Sequence, residues 1–202
     1  SSHSFSFGEY YDPEHMGVSV LRVINDDKVI AGAGFPTHPH NNMEIISYVL
    51  EGELAHKDSM GNGSVIRPGD VQRMSAGTGV THSEFNPSDD NETSVLQIWL
   101  LPSRRGLQPG YEQKYFPPQD KQGQLKLLVS PNGSEGSLCA NSDALMYGSL
   151  LNDELTVEHT LEPGRVAYVN LDRGEAEING QALAGGDGAE ISDETSITIS
   201  KG

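Results

Sequence analysis

Cysteine is nearly absent from this chain: Cys139 is the only one in 202 residues. Because a disulfide needs two partners, one cysteine excludes an internal disulfide framework, and it also excludes a cysteine-rich zinc module. So little cysteine is typical of a protein that works in a reducing compartment. We therefore expect a cytoplasmic location.

Positive charge and long hydrophobic runs are also scarce. The 13 lysines and arginines are outnumbered by 29 aspartates and glutamates, which gives a formal net charge of -16. Such a field repels nucleic-acid phosphates and anionic membranes, so we expect no direct nucleic-acid partner. No apolar run approaches the roughly 18 residues of a membrane-spanning helix, and no signal-peptide pattern opens the chain. We expect no membrane association.

Helical periodicity is missing as well. The 23 glycines and 11 prolines punctuate short segments rich in valine, isoleucine and tyrosine, which predicts an all-β sandwich or barrel. Only residues 135–140 suggest a short helix. Residues 43–50 are nearly all apolar, so we expect a strand buried on both faces.

The proline- and glycine-rich stretch 102–118 predicts a connector between two halves. The second half weakly repeats the first: Gly-Asp turns at 186–187 and 69–70 follow similar strands, although shared turn residues can also arise by chance. The second half has none of the histidine pairs of the first. If the repeat is real, any functional site belongs to the first half.

Two short stretches carry the metal-binding potential of the sequence. In a strand, residues two apart point to the same face, so His38 shares a face with His40, and His82 with Glu84. Four such donors facing one interior would bind a single divalent transition metal and leave positions for water or substrate. A lone histidine is more often a surface or core residue than a ligand, but two independent pairs favour the metal interpretation.

Residues near these stretches receive subsidiary roles. Glu44 lies an even number of residues from His38 and His40, so we expect its side chain to point to the same face. We expect it to hydrogen-bond a ligand imidazole and set its tautomer rather than to coordinate the metal. Phe35, Met43 and Phe85 flank the ligands and are candidates for a pocket wall, although core packing also explains them. Four other histidines have no such pairing and are interpreted as structural or exposed: His3, His15, His56 and His159.

Four strings in the first half are distinctive: HSFSF at 3–7, FPTHPH at 35–40, MEIISYVLEG at 43–52 and VQRMSAGTGVTHSEFN at 71–86. They resemble the cupin superfamily and, in finer detail, the pirin family. The resemblance implies an all-β bicupin made of two double-stranded β-helix (jelly-roll) barrels. Residues 1–116 would form the metal-binding barrel and residues 117–202 a degenerate barrel without ligands. It also implies His38, His40, His82 and Glu84 as the ligands of one metal ion.

Bacterial pirin-like proteins are associated with quercetin 2,3-dioxygenase activity. The resemblance therefore implies a metal-dependent dioxygenase that cleaves the central ring of flavonols such as quercetin, using O2 and releasing CO. Fe(II) is the expected metal, with Mn, Co, Ni, Cu or Zn as alternatives, since affinity alone does not select among them. Glu84 would either ligate the metal only or also act as the catalytic base for the flavonol hydroxyl.

A second function stays open at this point. The mammalian member of the family suggests a metal-containing, redox-responsive regulatory protein that acts through protein partners. The acidic surface would suit a basic partner protein. In either case we expect a monomer.

Overall fold

The computed structural model describes residues 2–7, 11–13 and 16–201, and these residues form mostly β-strands. The all-β prediction is confirmed. No helix in this part of the chain has the length and apolar character needed to cross a bilayer. The strands are β1 Ser2–His3, β2 Leu21–Val29, β3 Gly34–His40, β4 Glu44–Glu51, β5 Leu54–Asp58, β6 Gly63–Ile66, β7 Asp70–Ser75, β8 Val80–Phe85, β9 Thr93–Leu100, β10 Gly110–Tyr115, β11 Lys126–Ser130, β12 Leu138–Cys139, β13 Met146–Gly148, β14 Thr156–Thr160, β15 Ala167–Asn170, β16 Glu175–Ile178, β17 Gln181–Ala184, β18 Gly188–Ile191 and β19 Ser196–Ser200.

The helix predicted for residues 135–140 is wrong. A three-residue 3-10 turn occupies Ser134–Gly136, and strand β12 follows it. Gly133, Glu135 and Gly136 have φ values of 67°, 53° and 72°. Left-handed backbone at three of four consecutive residues cannot continue a right-handed helix. A second 3-10 turn lies at Pro118–Asp120.

The chain divides into two compact units. The first comprises Ser1–Phe116 and Leu128–Met146, and the second comprises Pro117–Leu127 and Tyr147–Gly202. The segment 128–146 thus groups with the first unit, and the predicted assignment of two barrels to 1–116 and 117–202 stays a prediction.

Strands β1 to β10 of the first unit form two sheets. One has the strand order β1-β2-β9-β4-β7-β10 and the other the order β3-β8-β5-β6. Apolar side chains from both sheets meet in a shared core, so the two sheets face each other across a barrel interior. The buried members of this core are Val29, Val49, Leu54, Ile66 and Val95.

The central strands β4 and β9 are buried along most of their lengths. Ile45 and Ile46 point to opposite faces of β4, and both are at most 1% exposed. The prediction of a strand buried on both faces is therefore confirmed. Two polar side chains on these strands are also buried, Ser47 on β4 and Gln97 on β9, and a buried polar group needs a partner.

Strands β3 and β8 pair antiparallel through an irregular register. Gly34 lies opposite Phe85, His38 lies opposite His82, and a bulge separates the two regions at 36–37. Pro36, which has no N–H to offer to the ladder, occupies the bulge. The β3 backbone approaches β8 so closely that a Cβ at Gly34 would lie 2.1 Å from the carbonyl oxygen of Glu84. Only glycine fits at that position without moving β3.

The second unit contains a four-stranded sheet of order β14-β19-β16-β17 and the pair β15-β18. Apolar residues on or next to these strands form its core. The buried members are Leu161, Ile178, Ile191 and Ile197.

Candidate metal centre

Three of the predicted ligands lie together in the first unit. His38 and His40 come from β3 and His82 from β8. Their ring centroids are 4.5 Å apart for His38 and His82, 4.8 Å for His38 and His40, and 4.9 Å for His40 and His82. One nitrogen of each ring lies within 4.8 Å of the others. The alternation along β3 and the register between β3 and β8 together produce this cluster.

The bulge in β3 sets the orientation of His38. The carbonyl oxygen of Pro36 lies 2.7 Å from His38 Nδ1. A carbonyl only accepts hydrogen bonds, so Nδ1 carries the hydrogen and Nε2 of the neutral ring holds the lone pair. That Nε2 atom lies 3.0 Å from Nε2 of His82. Two nitrogens converging in this way are arranged to share one cation.

The environment keeps the imidazoles of His40 and His82 neutral. Burial, followed by the charge of His38, lowers the pKa of His40 from 6.5 to about 4. Burial and the neighbouring histidines lower the pKa of His82 to about 3. Only a neutral imidazole has a lone pair for a metal. At neutral pH His40 and His82 are therefore in the form that binds metal.

The fourth predicted ligand, Glu84, is buried beside this cluster. Its Oε1 accepts a hydrogen bond of 3.2 Å from the Ser47 hydroxyl, and its Oε2 accepts one from Gln97 Nε2. Burial raises the pKa of Glu84 to about 7, with a further contribution from the charge of Asp27, although the two hydrogen bonds act in the opposite direction. The buried side chains of Ser47 on β4 and Gln97 on β9 are thus both hydrogen-bonded to the Glu84 carboxyl group.

The four predicted donors are divided between two overlapping groups, the second of which also contains His56. His38, His40 and His82 make the first group, and His56, His82 and Glu84 make the second, each with ligand atoms within 4.8 Å of one another. His82 belongs to both. The four predicted ligands therefore do not all lie within that distance of each other among the described side chains.

Sequence reasoning missed His56 and Asp58 on β5. The strand register places His56 opposite Glu84 and Asp58 opposite His82. His56 is 3% exposed, its Nε2 lies 3.1 Å from Asp58 Oδ2, and its ring centroid is 5.4 Å from that of His82. The alternating His-x-Asp pattern is the same kind of signal as His82-x-Glu84, and it would have indicated both residues.

Glu44 differs from its predicted role. Its side chain is 1% exposed and accepts hydrogen bonds from the Ser75 hydroxyl at 2.7 Å and from the Asn141 backbone N–H at 3.1 Å. Asn141 also donates through its side-chain amide, at 3.4 Å. Among the described hydrogen bonds of Glu44, none reaches an imidazole. It ties the segment around residue 141 to β4 instead.

The predicted wall residues lie in three environments. Phe35 packs against the apolar core of the first unit, and Met43 packs against the cluster formed by Ile45, Met74 and Val80. Phe85 is 40% exposed. A residue that the sequence analysis did not propose, Trp99, presents its ring at right angles to His40, with centroids 5.0 Å apart.

Among the remaining histidines, two make other contacts and one lies outside the described residues. His3 Nδ1 lies 2.7 Å from the side-chain oxygen of Asn25, and the ring of His159 contacts Tyr147 in the second unit. His15 is outside the described residues.

The residues present fit a divalent transition metal. Neutral imidazole nitrogens with one carboxylate oxygen are the donor set that such ions take, and the set does not by itself select one metal. The lone pair of His38 Nε2 faces the nitrogen of His82, where a bound cation would satisfy both.

Two family matches cover most of the chain. Residues 1–100 match the family described as Pirin, and residues 127–202 match the family described as Quercetinase C-terminal cupin domain. The curated proteins include close relatives. Quercetin 2,3-dioxygenase of Escherichia coli K12 is 47% identical over 200 residues, covering 98% of this chain and 85% of the relative. A pirin-like protein of Caulobacter vibrioides is 40% identical over 98% of this chain and 86% of its own length.

A solved structure extends the likeness to three dimensions. Bacterial pirin YhhW of Escherichia coli, solved in complex with nickel(II), superposes with a TM-score of 0.91 at 45% sequence identity. The match covers 98% of this chain and 84% of that chain. That relative binds a divalent transition metal.

Proposed function

The chain belongs to the pirin family of the cupin superfamily and has its bicupin fold, and from this premise we propose that it is a metal-dependent dioxygenase that opens the central ring of flavonols such as quercetin. The predictions of the family and of the bicupin fold are confirmed. The observation that carries the proposal is the convergence of the three imidazoles of His38, His40 and His82 beside the buried carboxyl group of Glu84. The name of the Escherichia coli relative supports the reaction.

Four residues would hold the metal in this proposal: His38, His40, His82 and Glu84. A divalent transition metal bound there supplies a Lewis acid for an anionic oxygen and the redox chemistry that a reaction with O2 requires. We expect Fe(II), while nickel in the Escherichia coli pirin makes Ni(II) the first alternative to measure.

Glu84 has the surroundings of a group that handles a proton. It is 1% exposed, and Ser47 and Gln97 hold its two oxygens in place. In the proposal it accepts the proton of the flavonol 3-hydroxyl, which leaves an anionic oxygen donor on the substrate. Both atoms of O2 enter the organic product, and the carbon that carried the 3-hydroxyl leaves with its oxygen as CO, so the reaction is balanced without another reductant.

The enzyme proposal is tested by loading metal-free protein separately with Fe(II), Mn(II), Co(II), Ni(II), Cu(II) and Zn(II). Metal per chain is measured by elemental analysis, quercetin loss by absorbance and CO by gas analysis. We expect one metal per chain and equal amounts of quercetin consumed and CO released. Full metal occupancy without turnover for every ion would contradict the dioxygenase proposal.

The ligand set is tested separately with His82→Ala. We expect this variant to lose the bound metal, because His82 belongs to both groups of donors. His159→Ala is the matched control, since His159 lies in the second unit and contacts Tyr147. Retention of one metal per chain in His82→Ala would show that the proposed ligands are wrong.

A further inference from the structure

We propose that His56 and Asp58 are positioning residues that hold His82 in the tautomer needed for metal binding. The inference rests on the proposed metal site and adds two residues that act on it through His82. Both are buried, at 3% and 8% exposure.

Asp58 is held in a single orientation by its turn. Its Oδ1 accepts the backbone N–H groups of Met60 at 2.9 Å and Asn62 at 3.0 Å. Its Oδ2 accepts the side-chain amide of Asn62 at 2.9 Å and faces His56 Nε2 at 3.1 Å. A carboxylate is an acceptor only, so the hydrogen of the neutral His56 ring lies on Nε2.

The other nitrogen of His56 is therefore an acceptor that needs a donor. Nδ1 of His56 and Nδ1 of His82 are both buried, and neither has a hydrogen-bond partner among the described residues. When His82 offers the lone pair of Nε2 to a metal beside His38, its Nδ1 carries the hydrogen. The two unpartnered atoms are then a complementary acceptor and donor.

The strand pairing makes the rings of these two histidines neighbours. His56 on β5 is the diagonal neighbour of His82 on β8, because Asp58 is the residue directly opposite His82. The ring centroids are 5.4 Å apart with the planes inclined by 52°, a separation at which rotation of the rings would bring the two Nδ1 atoms within hydrogen-bonding reach. An ionised Glu84 does not compete for His56 Nδ1, because a carboxylate has no hydrogen to donate to an acceptor nitrogen.

The consequence is a chain of hydrogen bonds from Asp58 through His56 to His82. A hydrogen bond to the outer nitrogen of a ligand imidazole fixes its tautomer and ring orientation and makes it a better donor to the metal. His38 receives the same support from the carbonyl of Pro36. Two of the three clustered histidines would thus be held by defined acceptors.

Asp58→Asn is the most informative variant. The two backbone N–H groups at Oδ1 keep an oxygen at that position, so the introduced amide nitrogen lies at the Oδ2 position and faces His56 Nε2. His56 must then accept at Nε2 and carry its hydrogen on Nδ1, where it opposes the hydrogen of His82. We expect ring nitrogen NMR of the metal-free protein to show His56 changing from the Nε2–H to the Nδ1–H tautomer. We expect the affinity for Ni(II), measured by competition with a chelator, to fall by about 10- to 100-fold.

His56→Gln separates a positioning role from a structural one. The glutamine amide reaches the place of Nε2 and keeps the hydrogen bond to Asp58, but it has no atom at the place of Nδ1. We expect Ni(II) affinity to fall as in Asp58→Asn, while the free energy of unfolding of the metal-free protein changes little. Asp70→Asn is the control, because Asp70 also accepts a turn N–H, from Arg67, without contacting a histidine.

Two results would overturn the inference. One is unchanged Ni(II) affinity in both Asp58→Asn and His56→Gln. The other is two Ni(II) ions per wild-type chain, which would make His56 a ligand rather than a support. Weakened binding in the variants with no dioxygenase turnover in the wild type would remove the proposed reaction but leave the positioning role intact.

Discussion

Glu84→Gln should stabilise the metal-free protein at neutral and alkaline pH, although it removes a proposed ligand. Glu84 is 1% exposed, and its burial raises its pKa from 4.5 to about 7. The amide is close in shape to the carboxyl group and carries no charge. Gln97 can keep donating to the amide oxygen, and the Ser47 hydroxyl can reverse and accept from the amide nitrogen.

The size and sign of the effect follow from the two pKa values. A carboxyl group whose pKa is higher in the folded than in the unfolded state contributes fully to the free energy of unfolding only below its unfolded-state pKa. This contribution is lost as the pH rises through the folded-state pKa. The window therefore runs from about pH 4.5 to about pH 7. Each factor of ten between the acid constants is worth about 1.4 kcal/mol, so ionisation of Glu84 lowers the free energy of unfolding by about 3 kcal/mol in all.

The measurement is urea unfolding of chelator-treated wild type and variant at several pH values between about 5 and 9, with the linear extrapolation. His40 and His82, with pKa values of about 4 and 3, stay neutral in the folded state over this range. Their titration in the unfolded state is the same in both proteins and cancels in the difference. Glu53→Gln is the control, because Glu53 lies at the surface paired with Arg67.

We expect the difference between variant and wild type to grow with pH toward about 3 kcal/mol in favour of Glu84→Gln. A difference that is constant across the range would refute the reasoning, since it would mean that Glu84 ionises as easily in the folded chain as in the unfolded one. Added Ni(II) should reverse the order of stability, because only the wild type gains the full ligand set.

Two further predictions concern the scaffold. Gly34→Ala should lower the free energy of unfolding by more than about 1 kcal/mol and weaken Ni(II) binding, because the new Cβ would push β3 away from β8. The control is Gly63→Ala, on an open part of β6. Equal losses of stability for the two variants in urea unfolding would contradict the prediction. Leu54→Ala should lower the free energy of unfolding by about 2–5 kcal/mol in the same assay, because Leu54 is 0% exposed in the barrel core. Leu145→Ala, at a residue that is 47% exposed, should change it by less than about 0.5 kcal/mol. Similar values for the two variants would show that Leu54 is not a core residue.

Several features of the site depend on contacts that no local pattern contains. The partners of Glu84 are Ser47 and Gln97, which lie on the opposite sheet. Glu44 has the right parity to face inward, yet it binds a segment almost one hundred residues away through Asn141. The packing of the two sheets decides which polar groups face each other, and strand alternation does not contain that information.

The sequence by itself determined the all-β class, the face that His38 shares with His40 and His82 with Glu84, and the absence of a comparable pair in the second half. These features are local, because alternation in a strand decides which side a residue faces. Only the tertiary structure decided that His38 lies opposite His82, that a bulge at Pro36 orients His38, and that the site extends to β5. These depend on the register between strands distant in sequence, which the whole barrel core selects, since a shift by one residue would turn every side chain of a strand to the wrong face.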